Sequence, residues 1–199
     1  VVNLSPLIYS QAAHARQGVD LVLTVDRSVQ FLVEEHLRAA IKNYEAESGE
    51  IIVMDPKTGA ILALASEPGF DPYIFYKADT DSLQNPIVSK QFEPGSVMKL
   101  VTMASALDSG VVTPESTYYD NGELYVGGHK TMNSTREAYG TVDMTTLLAQ
   151  SLNVGAATLT LWMGADTYYD YMQNFGFGRP TGIDISAEAG GLMPLPGDP

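Results

Sequence analysis

Glu93-Pro94-Gly95-Ser96-Val97-Met98-Lys99 is the stretch on which the reading of this chain turns. Pro94 and Gly95 break any preceding element, and Ser96 to Ser109 then reads as a helix. Its apolar residues, Val97, Leu100, Val101, Ala104 and Leu107, recur at helical spacing and predict one buried face. Gly110 stands where a left-handed residue would stop that helix. Ser96 therefore falls at the helix N-terminus with Lys99 one turn later, on the same face, so that the amine can reach the hydroxyl. A serine hydroxyl is a weak nucleophile until a base takes its proton. A lysine is that base only when desolvation or a neighbouring cation lowers its pKa. The same spacing also fits a serine N-cap followed by a solvated lysine, and this pair alone does not separate the two readings.

Working outward, two short β-branched runs, Glu50 to Asp55 and Ala60 to Ala65, flank Pro56-Lys57-Thr58-Gly59 and predict a hairpin. Upstream, Asp26 caps a long amphipathic helix, Arg27 to Glu47, with Val29, Leu32, Val33, Leu37, Ala40 and Ile41 on one stripe. Val19 to Val25 reads as a short strand and the residues before it as a linker or tail. Ser66 to Phe92 reads as irregular connection, with turn dipeptides at Asp71-Pro72 and Asn85-Pro86. Val111 to Tyr139 reads as a loop-rich insertion with a β-like piece at Glu123 to Val126. Asp143 caps Met144 to Gln150, and Ser151-Leu152-Asn153 interrupts before a helix from Val154 to Met163. Asp166 is expected to cap a last helix ending at Asn174.

The 199 residues are 45% hydrophobic, enough for a real core. A net charge of −13 argues against nucleic-acid binding and against docking on an anionic membrane. No cysteine is present, and His14, His36 and His129 lack metal-ligand spacing. No apolar run approaches a membrane span.

A turn such as Ser151-Leu152-Asn153 can point a hydroxyl and a carboxamide to one side, although Ser and Asn are also the residues expected to cap a helix break. Taken with Ser96 and Lys99, the pattern resembles the penicillin-binding proteins and serine β-lactamases, which carry Ser-x-x-Lys followed by a Ser-Asp-Asn type box. Met54 to Ala63, Phe92 to Ser96, Ala149 to Gly155 and Phe175-Gly176-Phe177-Gly178 look like the landmarks of a transpeptidase domain, and most resemble the class B, monofunctional proteins. The resemblance runs from Gly18 onward. It implies an α+β fold of the β-lactamase/transpeptidase type, an αβα sandwich with helices around a central antiparallel sheet. It also implies that 1–18 is a tail from a preceding domain and 19–199 the N-terminal portion of the transpeptidase domain. The family's third box, Lys-Thr-Gly or Lys-Ser-Gly, lies downstream of the nucleophile; Lys57-Thr58-Gly59 lies upstream in a hairpin and reads as a turn, so the third box and the C-terminal strands are expected to be absent.

What the resemblance implies chemically is D,D-transpeptidation. Ser96 attacks the carbonyl between two terminal D-alanines of a peptidoglycan stem peptide, Lys99 takes its proton, Ser151 relays a proton to the departing D-alanine, and Asn153 binds Lys99 and a substrate amide. β-Lactams would acylate Ser96 in the same way. No cofactor or metal is implied. The parent protein is expected to be membrane-anchored on the cell-wall side, with cell-wall synthesis and division partners. The alternatives are a serine β-lactamase, for which no deacylating carboxylate is evident, and a covalent β-lactam or muropeptide sensor. If the sheet is incomplete, the hairpin edge invites self-association through Glu50 to Ala65, since a helix packed on its face is not expected to satisfy a strand edge.

Overall fold

The computed structural model describes residue 18 and residues 20–78 and 80–197. The expected tail before Gly18 and His14 lie outside the described residues. The chain divides into two units, Val1–Ala78 and Asp79–Pro199.

In the first unit, helix α1 (Arg27–Tyr44) begins where Asp26 was expected to cap it: the carboxylate accepts from the Ser28 and Val29 amides at 2.8 and 3.0 Å. It ends before the predicted Glu47, because Glu45 turns left-handed at φ 51°. Strands β1 (Gly49–Met54) and β2 (Ile61–Glu67) form the antiparallel hairpin, pairing Ile51 with Ala65 and Ile52 with Leu64. Asp55 closes the turn, accepting from the Lys57 amide and the Thr58 hydroxyl, and Gly59 takes the positive φ. Ala63 and Ala65 of β2 are buried along with Leu37 of α1, and these small side chains let the helix lie close on the sheet. Of the predicted stripe, Leu32 and Ala40 are exposed instead.

Two expectations in this unit are corrected. Residues 20–25 form no strand; Leu21, Val22 and Leu23 are exposed, and the segment meets β2 only at its end, through the Thr24 hydroxyl on the Ile61 carbonyl and the Asp26 amide on the Leu62 carbonyl. The helix also does satisfy a strand edge. Gln30 of α1 donates from Nε2 to the Leu64 carbonyl at 3.0 Å and accepts the Leu64 amide on Oε1 at 2.8 Å, standing in for a neighbouring strand.

In the second unit a 3-10 helix, Thr80–Leu83, precedes a short helix α2 (Pro86–Ser89), capped by Asn85. A single 3-10 turn, Gly95–Val97, leads into α3 (Met98–Asp108), so Ser96 sits in the turn before the α-helix rather than within it. Gly110, at φ 73°, follows the helix end as expected. The region read as a loop-rich insertion is more ordered than its sequence suggests. Strands β3 (Thr117–Asp120) and β6 (Gly140–Asp143) pair with each other and enclose a hairpin of β4 (Glu123–Val126) and β5 (His129–Met132), turned by Gly127 and Gly128, both at positive φ. Helix α4 (Met144–Ala149) starts at the Asp143 cap, α5 spans Asn153–Met163 and α6 spans Ala165–Asn174. Asp166 lies inside the first turn of α6, where it favours the helix dipole, and does not cap it. Met103, Val112, Tyr118, Val142, Leu147, Leu152, Leu159 and Met163 form the core. The fold is α+β, with three two-stranded antiparallel sheets among the described residues.

The predicted buried face of α3 is also corrected. Val97 and Leu100 are 63% and 64% exposed, and the buried residues are Thr102, Met103, Ser105 and Ala106. Thr102 and Ser105 bond back to the Met98 and Val101 carbonyls, so their burial leaves no hydroxyl unpaired. These short side chains let α3 approach α5 and α6, and Thr102 meets Tyr168 Oη at 3.1 Å while Asp108 accepts from Tyr171 Oη at 2.7 Å. Lys99 shares this face with Thr102, Met103 and Ala106, at i+3, i+4 and i+7. Packing by the less apolar face is what turns Lys99 toward α5.

Candidate active site

Lys99 is the centre of the site. Its Nζ lies 3.2 Å from Ser96 Oγ, 2.9 Å from Ser151 Oγ, 2.5 Å from the Ser151 carbonyl oxygen and 2.6 Å from Asn153 Oδ1. The four residues singled out in the sequence are thus brought together, with Ser96, Ser151 and Asn153 all on the amine of Lys99. Burial of the half-buried amine lowers its pKa from the ordinary lysine value.

The positions of these groups have local causes. Ser151 adopts φ 53°, an uncommon conformation for a residue with a side chain, and this bend turns both its carbonyl and its hydroxyl to Lys99. The bend is held from below: Leu152 is 2% exposed, and its amide and that of Ser151 donate to the Leu147 and Leu148 carbonyls. Asn153 opens α5, and its Nδ2 donates to the Met132 carbonyl at 2.8 Å.

A neutral amine has two hydrogens and one lone pair. The Ser151 carbonyl oxygen and Asn153 Oδ1 can only accept, so they take the two hydrogens. The lone pair is left to a hydroxyl, and the hydroxyls within reach are Ser96 and Ser151. The arrangement is one in which a lysine can draw the proton from one serine and exchange it with a second.

Sequence reasoning missed the support beneath Asn153. Met132 contributes a backbone carbonyl, which leaves no mark in a sequence. Asp120 is fully buried and accepts from Tyr118 Oη, the Gly122 amide and Asn133 Nδ2; Asp120-Asn121-Gly122 carried a signal, but only that of a turn. Burial and the Asp120 carboxylate both push the Tyr118 phenol up, keeping it a donor.

A Ser-x-x-Lys helix start with its lysine half-buried against a Ser-x-Asn turn is the arrangement of serine acyl-transferring enzymes that bind penicillin. Residues 49–197 match the family model described as the penicillin binding protein transpeptidase domain, and the chain belongs to that family. It is 33% identical over 190 residues to the penicillin-binding protein PbpB of Mycobacterium tuberculosis, covering 95% of this chain and 28% of that protein. It is 32% identical to the peptidoglycan D,D-transpeptidase FtsI of Escherichia coli, over 93% of this chain and 30% of that one. Among solved structures it is similar to penicillin binding protein 3 from M. tuberculosis in complex with aztreonam, with a TM-score of 0.80 and 34% identity, covering 87% of this chain and 39% of that chain. The chain spans less than a third of the length of these two curated relatives. No helix among the described residues is long and apolar enough to cross a membrane.

Proposed function

We propose that this chain carries the nucleophile, base and proton relay of a peptidoglycan D,D-transpeptidase. The observation that carries the reading is the single amine of Lys99 in contact with two serine hydroxyls. Neutral Lys99 takes the proton of Ser96 as Oγ bonds to the carbonyl carbon between two terminal D-alanines of a stem peptide. As the tetrahedral intermediate collapses, the C–N bond breaks, and the proton passes from Lys99 through Ser151 Oγ to the departing amine. The ester carbonyl at Ser96 is then attacked by an amine of a second stem peptide, whose proton passes through Ser151 Oγ to Lys99; as the Ser96 Oγ–C bond breaks, Lys99 returns that proton to Oγ, leaving the new amide as the crosslink. Asn153 holds Lys99 in register. The Ser96 amide, in the 3-10 turn that leads into α3, supplies charge stabilisation to the oxyanion.

A β-lactam presents the same amide in a strained ring and leaves Ser96 as a stable ester. The aztreonam complex of a similar structure and the transpeptidase names of the relatives support this reading. The parent protein would act on the cell-wall side of the cytoplasmic membrane, held there by an anchor and in company with other cell-wall synthesis proteins.

The test is incubation of the chain with fluorescent penicillin and location of the adduct by mass spectrometry. The expected result is one adduct on Ser96, lost in Ser96→Ala with an unchanged fold. Labelling at another serine overturns the assignment, and rapid turnover of nitrocefin would favour a β-lactamase instead.

A further inference from the structure

We propose that Asp120 is a positioning residue for this site, acting through Asn133 to hold the Asn153 side chain with its oxygen on Lys99. The proposal rests on the acyl-transfer reading only for what Lys99 does, not for the geometry.

Asp120 and Asn133 are among the few polar residues that are buried, at 0% and 2% exposure. A buried carboxylate is costly unless every lone pair finds a donor. Asp120 finds them in Tyr118 Oη at 2.9 Å, the Gly122 amide at 2.6 Å and Asn133 Nδ2 at 3.0 Å from each carboxylate oxygen. A turn needs only the Gly122 contact; the remaining donors come from β3 itself and from the residue that follows β5.

Asn133 is where this network reaches the site. Its Nδ2 also donates to the Glu137 carbonyl at 3.1 Å, and both of its acceptors can only accept, so the carboxamide has one orientation. That orientation directs Oδ1 to the amide of Val154, in the first turn of α5, at 3.1 Å. The residue before it, Met132, offers its carbonyl to Asn153 Nδ2. Two adjacent residues therefore grip two adjacent residues: Met132 takes the Asn153 side chain and Asn133 takes the Val154 backbone. With its nitrogen engaged, Asn153 can turn only its oxygen to Lys99. Without the Asp120 carboxylate, Asn133 Nδ2 keeps only the Glu137 carbonyl, its hold on the Val154 amide loosens, and the Met132 carbonyl is no longer fixed against the Asn153 amide.

The experiment is Asp120→Asn, nearly isosteric, which places an amide nitrogen among three donors. Its melting is compared with that of the unmodified chain, and two readings are taken well below the transition. One is the rate of penicillin acylation at Ser96; the other is hydrogen exchange at the Asn153 carboxamide and the Val154 amide, with the Met103 amide in α3 as internal control. The expected outcome is a folded variant acylated about tenfold to a hundredfold more slowly, the loss expected when a catalytic group is misplaced by a fraction of its contact distance. Exchange at Asn153 and Val154 should quicken while Met103 is unchanged. A folded Asp120→Asn with unchanged acylation overturns the proposal, whatever its exchange. If Asp120→Asn does not fold, Tyr118→Phe removes one donor to Asp120 without opening a cavity; several-fold faster exchange at Asn153 supports the proposal and unchanged exchange overturns it. If the unmodified chain takes no penicillin at all, the acyl-transfer reading fails, and the exchange data alone still decide whether Asp120 orients Asn153.

Discussion

Asn153 Nδ2 donates to the carbonyl oxygen of Met132 at 2.8 Å, and Oδ1 of the same amide accepts from Lys99 at 2.6 Å. The two contacts require opposite ends of one carboxamide. Asn153→Asp keeps the shape but loses the donor, and sets an anion beside the amine. A neighbouring carboxylate favours the ammonium form. Acylation should fall about a hundredfold or more at neutral pH, the scale of a lost general base. Its rise with pH should also move to higher pH. A variant that acylates normally would show that the orientation of Asn153 does not govern Lys99.

Burial lowers the Lys99 pKa from 10.5, which gives the pH dependence a sign. Acylation needs the neutral amine, so its rate should rise with pH and level off below the ordinary lysine value. In stability the unfolded chain binds more protons between the folded Lys99 pKa and 10.5, so this group's contribution grows as pH increases through that window. Lys99→Met should remove that part of the slope in denaturant titrations across this range. Lys99→Arg should be as inactive as Lys99→Ala, because arginine keeps its proton; near-normal acylation in the arginine variant would mean that charge alone suffices.

Lys57-Thr58-Gly59 has the letters of the family's third box, yet its backbone is a turn gathered around Asp55, whose pKa is lowered by the Lys57 amide and the Thr58 hydroxyl. Lys57→Ala should leave acylation unchanged and stability within about 0.5 kcal/mol. Loss of acylation without loss of stability would assign this lysine to the site.

Gly155 lies where α5 passes over β3. A Cβ there would stand 2.5 Å from Tyr118 Oη and 2.6 Å from Leu147 Cδ1. Gly155→Ala should cost about 1–3 kcal/mol in chemical denaturation, the scale of overpacking in a filled core. It should also slow acylation in the folded fraction, since the added methyl group pushes on the helix that begins with Asn153. Unchanged stability would show that Tyr118 can yield.

Lys99 and the three residues on it were legible because their roles are local: a helix start, an i+3 spacing, a turn between helices. Capping by Asp26 and Asp143 was legible for the same reason, and so was the hairpin around Pro56-Lys57-Thr58-Gly59. What failed was orientation. Hydrophobic periodicity placed the buried face of α3 on Val97, Leu100, Val101, Ala104 and Leu107, of which only Val101 is partly buried. The packed face instead carries Thr102 and Ser105, which periodicity counts as polar although each satisfies its own hydroxyl within the helix. The β3–β6 pair was missed because its strands have four residues each and are separated by the β4–β5 hairpin, so no short window contains both partners.

Gln30 gives the N-terminal hairpin a valence. A pleated ribbon with two bare margins is divalent, and copies of it can add without limit. Here Gln30, Asp26 and Thr24 occupy the outward groups of β2 at Leu64, Leu62 and Ile61. Among residues 20–78, the β1 margin has no helix side chain placed as Gln30 is on Leu64. A unit with one reactive margin can meet a second copy margin to margin, but the pair so formed has nothing left to offer a third. Were this hairpin to pair with a copy of itself, the β2 side would be the closed one at Leu64, and the side chain that closes it belongs to a helix.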